Sequence, residues 1–179
     1  AAVTAVAPNT PTGSPCTIFP SDHIWNTPID TMPVHPLSDQ YIESIGLNTN
    51  LHPDFGSGVW PPNSNSPIGI PFVEVPGSQP KVPINYTDFG DESDPGPFPI
   101  PPDAPIEGGP DSDGDRHVLV VDTDNCLLYE LFYAFPNDGG SSWDASSGAM
   151  FDLNSYALRP DGWTSADAAG LPLFAGAGR

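Results

Sequence analysis

Basic residues are almost missing from this chain: Lys81, Arg116, Arg159 and Arg179 stand against 23 Asp and Glu, leaving a formal charge of -19 over 179 residues. Four cations cannot neutralise a phosphate backbone, so nucleic acid is excluded as a partner and an anionic lipid surface nearly so. Long apolar runs are missing too, and nothing approaches the roughly 20 residues that a membrane helix needs. Cysteine is down to Cys16 and Cys126, with no CxxC to build a thiolate metal site. No GxSxG, HxH or HExxH spacing occurs, which leaves an esterase triad and a transition-metal centre without a motif. No internal repeat of solenoid or propeller period is present.

Proline and glycine are what the chain has in excess. They make up 43 of 179 positions, about 24%, where average usage is roughly 12%. Proline removes a backbone donor and glycine costs order, so long helices are excluded and the elements must be short. Residues 1–15 are small, Thr/Pro-rich and uncharged, the composition of a flexible lead-in to a mature secreted protein. Residues 16–179 read as one β-rich domain. Cys16 sits where the lead-in stops and Cys126 lies in the most strand-like stretch. In a secreted chain the pair predicts a disulfide tying the N-terminal segment to the sheet, the alternative being two buried thiols packing as small hydrophobes.

One helix is signed over Asp39–Ile45, with Ser38 as N-cap, Leu37 stapling onto Ile42, Gly46 as the stop, and Tyr41, Ile42 and Ile45 facing inward. The stretch from Leu51 to Ser66 is turn-rich. Strand-like runs follow at Ile70–Val75 and Val82–Tyr86, and their prolines confine them to sheet edges or strand starts. The Pro/Gly/Asp-rich stretch between Asp88 and Asp115 carries Phe98, Ile100 and Ile106 as apolar teeth, which favours an ordered strap over a linker. His117–Phe135 contains two apolar runs flanking an Asp/Asn turn, a β-hairpin signal, and both strands are apolar on both faces, as in a covered sheet. Ala149–Leu153 reads as a further strand and Ser165–Gly170 as one helical turn. The class this predicts is mainly β: an antiparallel sandwich or barrel with long Pro/Gly-rich loops and one or two short helices.

The strings Asp91–Pro97 (DESDPGP), Pro101–Gly109 (PPDAPIEGG), Asp115–Asp122 (DRHVLVVD) and Arg159–Pro172 (RPDGWTSADAAGLP) resemble a group of large, uncharacterised secreted microbial proteins. The likeness runs from about Phe19 to the end. It implies no catalytic residue, because the group has no established activity. It does imply length, since such proteins continue past the point matching Arg179. The chain's own end agrees: an apolar, strand-like Leu171–Phe174 runs into a Gly/Ala loop, and only five or six strand candidates are legible where a sandwich has seven or more. The expectation is an N-terminal portion whose sheet is completed by a second chain, the remainder of the same protein.

Chemistry is carried by three clusters. If Asp122–Asn125 forms the hairpin turn, His117 faces Glu130 across the strands at a Cβ separation of roughly 5 Å. A carboxyl among apolar neighbours gains proton affinity, so the pair is an acid/base candidate, with a structural ion pair as the alternative. A two-residue register shift would put Leu119 there instead. Trp143 and Asp144, with Trp163 and Asp167, combine rings and acids in loops, as a glycan cleft requires: the two indoles are substrate-binding candidates and Asp144 and Asp167 further catalytic carboxylates. Asp111, Asp113 and Asp115 alternate around Gly114 like half a calcium loop, and calcium is the one cofactor this pattern suggests. The leading functional expectation is a secreted, carbohydrate-directed domain, a glycoside hydrolase or lyase acting on a neutral polysaccharide, because an anionic surface repels polyuronates. The rival is a non-catalytic extracellular domain whose acids serve solubility and calcium.

Overall fold

The computed structural model describes residues 15–50, 58–59 and 67–177; the lead-in over 1–14 and most of the turn-rich 51–66 stretch lie outside the described residues. Strands dominate. In chain order they are β1 (Gly58–Val59), β2 (Pro67–Ile68), β3 (Phe72–Val75), β4 (Ile84–Tyr86), β5 (Val118–Asp122), β6 (Leu127–Phe132), β7 (Phe135–Asn137), β8 (Ser142–Ala145) and β9 (Ser147–Asp152), with helices α1 (Ser38–Ile45) and α2 (Leu173–Ala177). The larger sheet has the order β3-β5-β6-β9 and the smaller β4-β8-β7, while β1 and β2 pair as a separate ribbon. Neither main sheet is closed.

The sheets are mixed rather than wholly antiparallel. β3 runs parallel to β5 and β4 parallel to β8, the other pairs being antiparallel. Parallel neighbours need long crossovers, and the Pro/Gly-rich segments between β3 and β5 and between β4 and β8 provide them. Pro71 and Pro83 stand immediately before β3 and β4, and both strands lie at sheet edges, where a missing donor breaks no ladder.

The hairpin β5–β6 forms the covered centre of the larger sheet. On one face Leu119, Val121, Leu128, Ala149 and Phe151 pack under Cys16, Ile18, Phe19, Leu153 and Phe174. On the other, Val118, Val120, Tyr129 and Leu131 meet Trp143 and Ala145 of β8 together with the strap residues Phe98, Ile100 and Ala104. Phe98 and Ile100 are 1% exposed, so the polyproline stretch is an integral layer. Its contact to the body is fixed by reciprocal backbone bonds between Val82 and Phe98. The disulfide joins Cys16 to Cys126 with their Cα atoms 5.4 Å apart, pinning the N-terminal segment to the hairpin loop.

Several local expectations are corrected. The hairpin loop is Thr123–Cys126 rather than Asp122–Asn125, and Asp122 closes the ladder opposite Leu127. The Asp122 carboxylate accepts the backbone N–H groups of Asp124 and Asn125, and Cys126 turns the chain at a φ of 50°. Leu37 occupies the N-cap of α1 without a side-chain bond, although Gly46 does end the helix, at a φ of 104°. Tyr41, Ile42 and Ile45 do not face inward; they are 53%, 48% and 65% exposed. Ser165–Gly170 forms turns instead of a helical turn, and Leu173–Ala177 is helical instead of strand-like.

Candidate functional site

A cleft of about 560 Å³ opens at the end of the larger sheet. His117 enters it from just before β5, Phe132 from the end of β6 and Ser147 from the start of β9; Thr164–Ala168 and Leu173 wall it opposite, and Phe89 and Asp115 stand at its mouth. The wall is organised by Asp167. Its Oδ1 accepts the N–H groups of Ala169 and Leu171 at 2.9 and 3.2 Å, and the Ser165 hydroxyl sits between that carboxylate and the Leu171 carbonyl. Positive φ at Ala168 (65°) and Gly170 (74°) completes the turn.

His117 is 5% exposed. Its Nδ1 lies 2.6 Å from Glu107 Oε2 and its Nε2 lies 3.0 Å from the Ala166 carbonyl oxygen. Burial by itself lowers the basicity of the ring, but the Glu107 carboxylate, the Ala166 carbonyl and the charge of Asp115 outweigh it, so the imidazole titrates above its ordinary value. Two acceptors at the two ring nitrogens suit a doubly protonated imidazolium. The hydrogen bond from His117 in turn holds the Glu107 carboxyl below the usual range against its partial burial. The strap makes this meeting unavoidable: the Glu107 N–H also donates to the His117 carbonyl at 3.0 Å. Sequence reasoning missed Glu107, because its partner comes from the strap and nothing in local spacing marks it.

Glu130 faces Leu119, with Ala149 on its other side, so the pairing with His117 across the strands is corrected by two residues. Its side chain is wholly enclosed at 0% exposure, and its oxygens accept the first two amides of α2, Leu173 N at 3.0 Å and Phe174 N at 2.8 Å. Burial pushes the carboxyl up to about 7, opposed by those two amides and the His117 charge and assisted by Asp167. Glu130 thus docks the helix whose Phe174 ring stacks edge-on against Phe72, centroids 4.9 Å apart.

The remaining sequence candidates disperse. Trp143 is a core residue at 0% exposure, its indole N–H without an acceptor among the described residues, because alternation along β8 turns it toward the strap. Asp144, one residue on, points to the opposite face and accepts from Asn85 Nδ2 at 3.1 Å. Trp163 lies under the Arg159 guanidinium, 5.5 Å from its ring centre, outside the cleft lining. Asp167 lines the cleft.

Asp111, Asp113 and Asp115 are all exposed, and the turn they belong to is organised by an internal cation: Arg116, 3% exposed, bonds through Nη1 to the carbonyls of Pro110 and Ser112 and through Nε to that of Ala134. Of the three acids only Asp115 converges with other ligand-type groups, joining Glu107 and His117 with one atom of each residue within 4.8 Å of the others.

No protein-family model, curated protein or solved structure matches this chain. The functional reading therefore rests on the geometry. No helix among the described residues is long and apolar enough to cross a membrane.

Proposed function

We propose that this chain is an extracellular carbohydrate-binding domain that holds a neutral saccharide in the cleft beside His117. The observation that carries the reading is the composition of the cleft, in which the rings of Phe89 and Phe132 stand beside the hydroxyl of Thr164 and the carboxylates of Asp115 and Asp167. Sugars present apolar faces and hydroxyl edges, and this mixture of rings and oxygen acceptors answers both. The disulfide supports an oxidising compartment, and two sheets packed on one another through Trp143 and Ala145 supply the rigid frame on which binding loops work.

Binding is favoured over hydrolysis or lyase chemistry because the leading acid/base pair is committed to the fold, and of the further carboxylates Asp144 lies outside the cleft lining while Asp167 spends Oδ1 on the amides of Ala169 and Leu171. Glu130 is enclosed, with both oxygens engaged by α2, and both ring nitrogens of His117 are engaged as well. A general acid or base must reach the proton it transfers. Screening on an array of neutral oligosaccharides, followed by titration of the best ligand, tests the reading. Phe89 is 46% exposed, so Phe89→Ala leaves the fold intact and should weaken binding on the order of ten-fold through the lost ring contact. Failure of every glycan to bind overturns the proposal, and release of new reducing ends from a bound glycan overturns its non-catalytic part.

A further inference from the structure

We propose that Glu107, Asp115 and His117 form a binding site for one divalent transition-metal ion of the zinc class. Three features of the cluster point there. The first is size: one ligand atom from each residue lies within 4.8 Å of the others. Oxygen and nitrogen ligands sit about 2.0–2.2 Å from zinc in a tetrahedral shell, which puts any two of them about 3.4 Å apart, so side-chain movements on the order of 1 Å bring the three onto one ion and leave the fourth position open.

The second is the orientation of the imidazole. His117 Nε2 lies 3.0 Å from the Ala166 carbonyl oxygen, the outer contact that metal-bound histidines make with their second nitrogen. That bond fixes the tautomer with Nε2 protonated and aims Nδ1 at Glu107 Oε2, 2.6 Å away. The proton between them is the one that an ion would replace, the two atoms parting by about 0.8 Å to reach tetrahedral spacing.

The third is charge. Two carboxylates face one imidazole, and the neighbouring cation is engaged elsewhere: Arg116 is spent on three carbonyls and on the Phe135 ring, 4.1 Å from its centroid. The Asp115 carboxylate accepts no hydrogen bond from a described residue although it stands near the ring. A divalent ion would neutralise both acids while leaving the imidazole neutral. One nitrogen and two carboxylate ligands suit zinc better than calcium, which takes six to eight oxygens. Asp115 and His117 both line the cleft, so the coordination positions left over would open into it. The site is distinct from the calcium loop expected of Asp111, Asp113 and Asp115, and it stands whether or not a saccharide binds.

The test is isothermal titration of the chelator-treated full chain with zinc chloride and, separately, calcium chloride. One equivalent of zinc should bind, at least about ten-fold tighter than calcium. Asp115→Asn, at an exposed position, should weaken zinc by about ten-fold or more while leaving the metal-free circular dichroism and melting curve unchanged. Glu107→Gln should weaken zinc likewise, with a lower metal-free melting temperature because it gives up the charge-assisted bond to His117, and the double variant Asp111→Asn, Asp113→Asn should bind zinc as the parent does. No zinc binding up to about 1 mM overturns the proposal. So does zinc binding that is indifferent to Asp115→Asn, or that disappears in the Asp111, Asp113 variant.

Discussion

Replacing Glu130 with Gln tests the account of the buried carboxyl most directly. The folded-state pKa of Glu130 is raised from 4.5 to about 7. A group whose pKa is raised on folding binds its proton more tightly in the native state, so its contribution to stability is complete below pH 4.5 and is lost as the pH rises through 7. At about 1.4 kcal/mol per unit, the loss across that window is roughly 3 kcal/mol. The groups that face Glu130 are the amides of Leu173 and Phe174, the imidazole of His117 and, on the acidic side, Asp167. In Glu130→Gln the carboxamide keeps the shape and one acceptor but cannot ionise. Urea unfolding of both proteins, followed by tryptophan fluorescence with the disulfide intact and metal removed, gives their stability difference at each pH. Other titrating groups act alike on both and largely cancel. The difference should move in favour of the variant by about 3 kcal/mol between pH 4.5 and 8. A difference that stays flat with pH would show that Glu130 titrates normally and that its enclosure beneath α2 is misread.

Three further outcomes follow from particular contacts. The Cys16–Cys126 bridge closes a sequence separation of 110 residues, so the double Cys→Ser variant should lose about 5 kcal/mol and melt well below the parent by calorimetry, whereas a loss under about 1 kcal/mol would contradict the loop-entropy argument. A Cβ added at Gly148 would lie 2.3 Å from the Tyr86 hydroxyl and 3.0 Å from Leu131 Cδ2, and Tyr86 is anchored by its bond to the Asp94 carbonyl. Gly148→Ala should therefore cost about 1–3 kcal/mol in denaturant unfolding, and an unshifted midpoint would place the Tyr86 ring elsewhere. Ala168 is exposed with a φ of 65°; Ala168→Gly should stabilise by roughly 0.5 kcal/mol, the relief of left-handed strain less the entropy of glycine, and a destabilised variant would contradict that backbone geometry.

The arginines show how a chain of net charge -19 uses its few cations. Arg159 binds the Asp94 carboxylate and the carbonyls of Thr164 and Glu92, joining the cleft wall to the segment over 90–94. Arg116 closes the 110–116 turn from inside. Both side chains lie beneath the surface, at 4% side-chain exposure for Arg159 and 3% residue exposure for Arg116, so the exposed charge among the described residues is almost wholly negative. For the binding role proposed above, that distribution disfavours an anionic ligand and suits a neutral one or a cation.

What the sequence determined by itself is the set of features that local chemistry decides. Proline and glycine limit element length, Pro71 and Pro83 assign β3 and β4 to edges, the Asp/Asn turn and its flanking apolar runs make the hairpin, and the two cysteines, with no CxxC between them, pair as the disulfide. Tertiary structure decided everything that depends on which equivalent partner is met. Moving the hairpin register by two residues leaves every side chain on its own face, because the pleat repeats every two; the apolar pattern is therefore blind to whether Glu130 meets His117 or Leu119. The loop settled it, through the positive φ of Cys126 and the bridge to Cys16. Leu173–Ala177 is a helix because Glu130 receives its first amides, whereas a short apolar run carries no periodicity that separates helix from strand. β7 and β8 went unread because their sequence is polar and turn-rich, and they are held as strands by their neighbours. The convergence of Glu107 on His117 is of the same kind: ten residues apart, on a strap and a strand, they meet only because Phe98 and Ile100 sink the strap into the core.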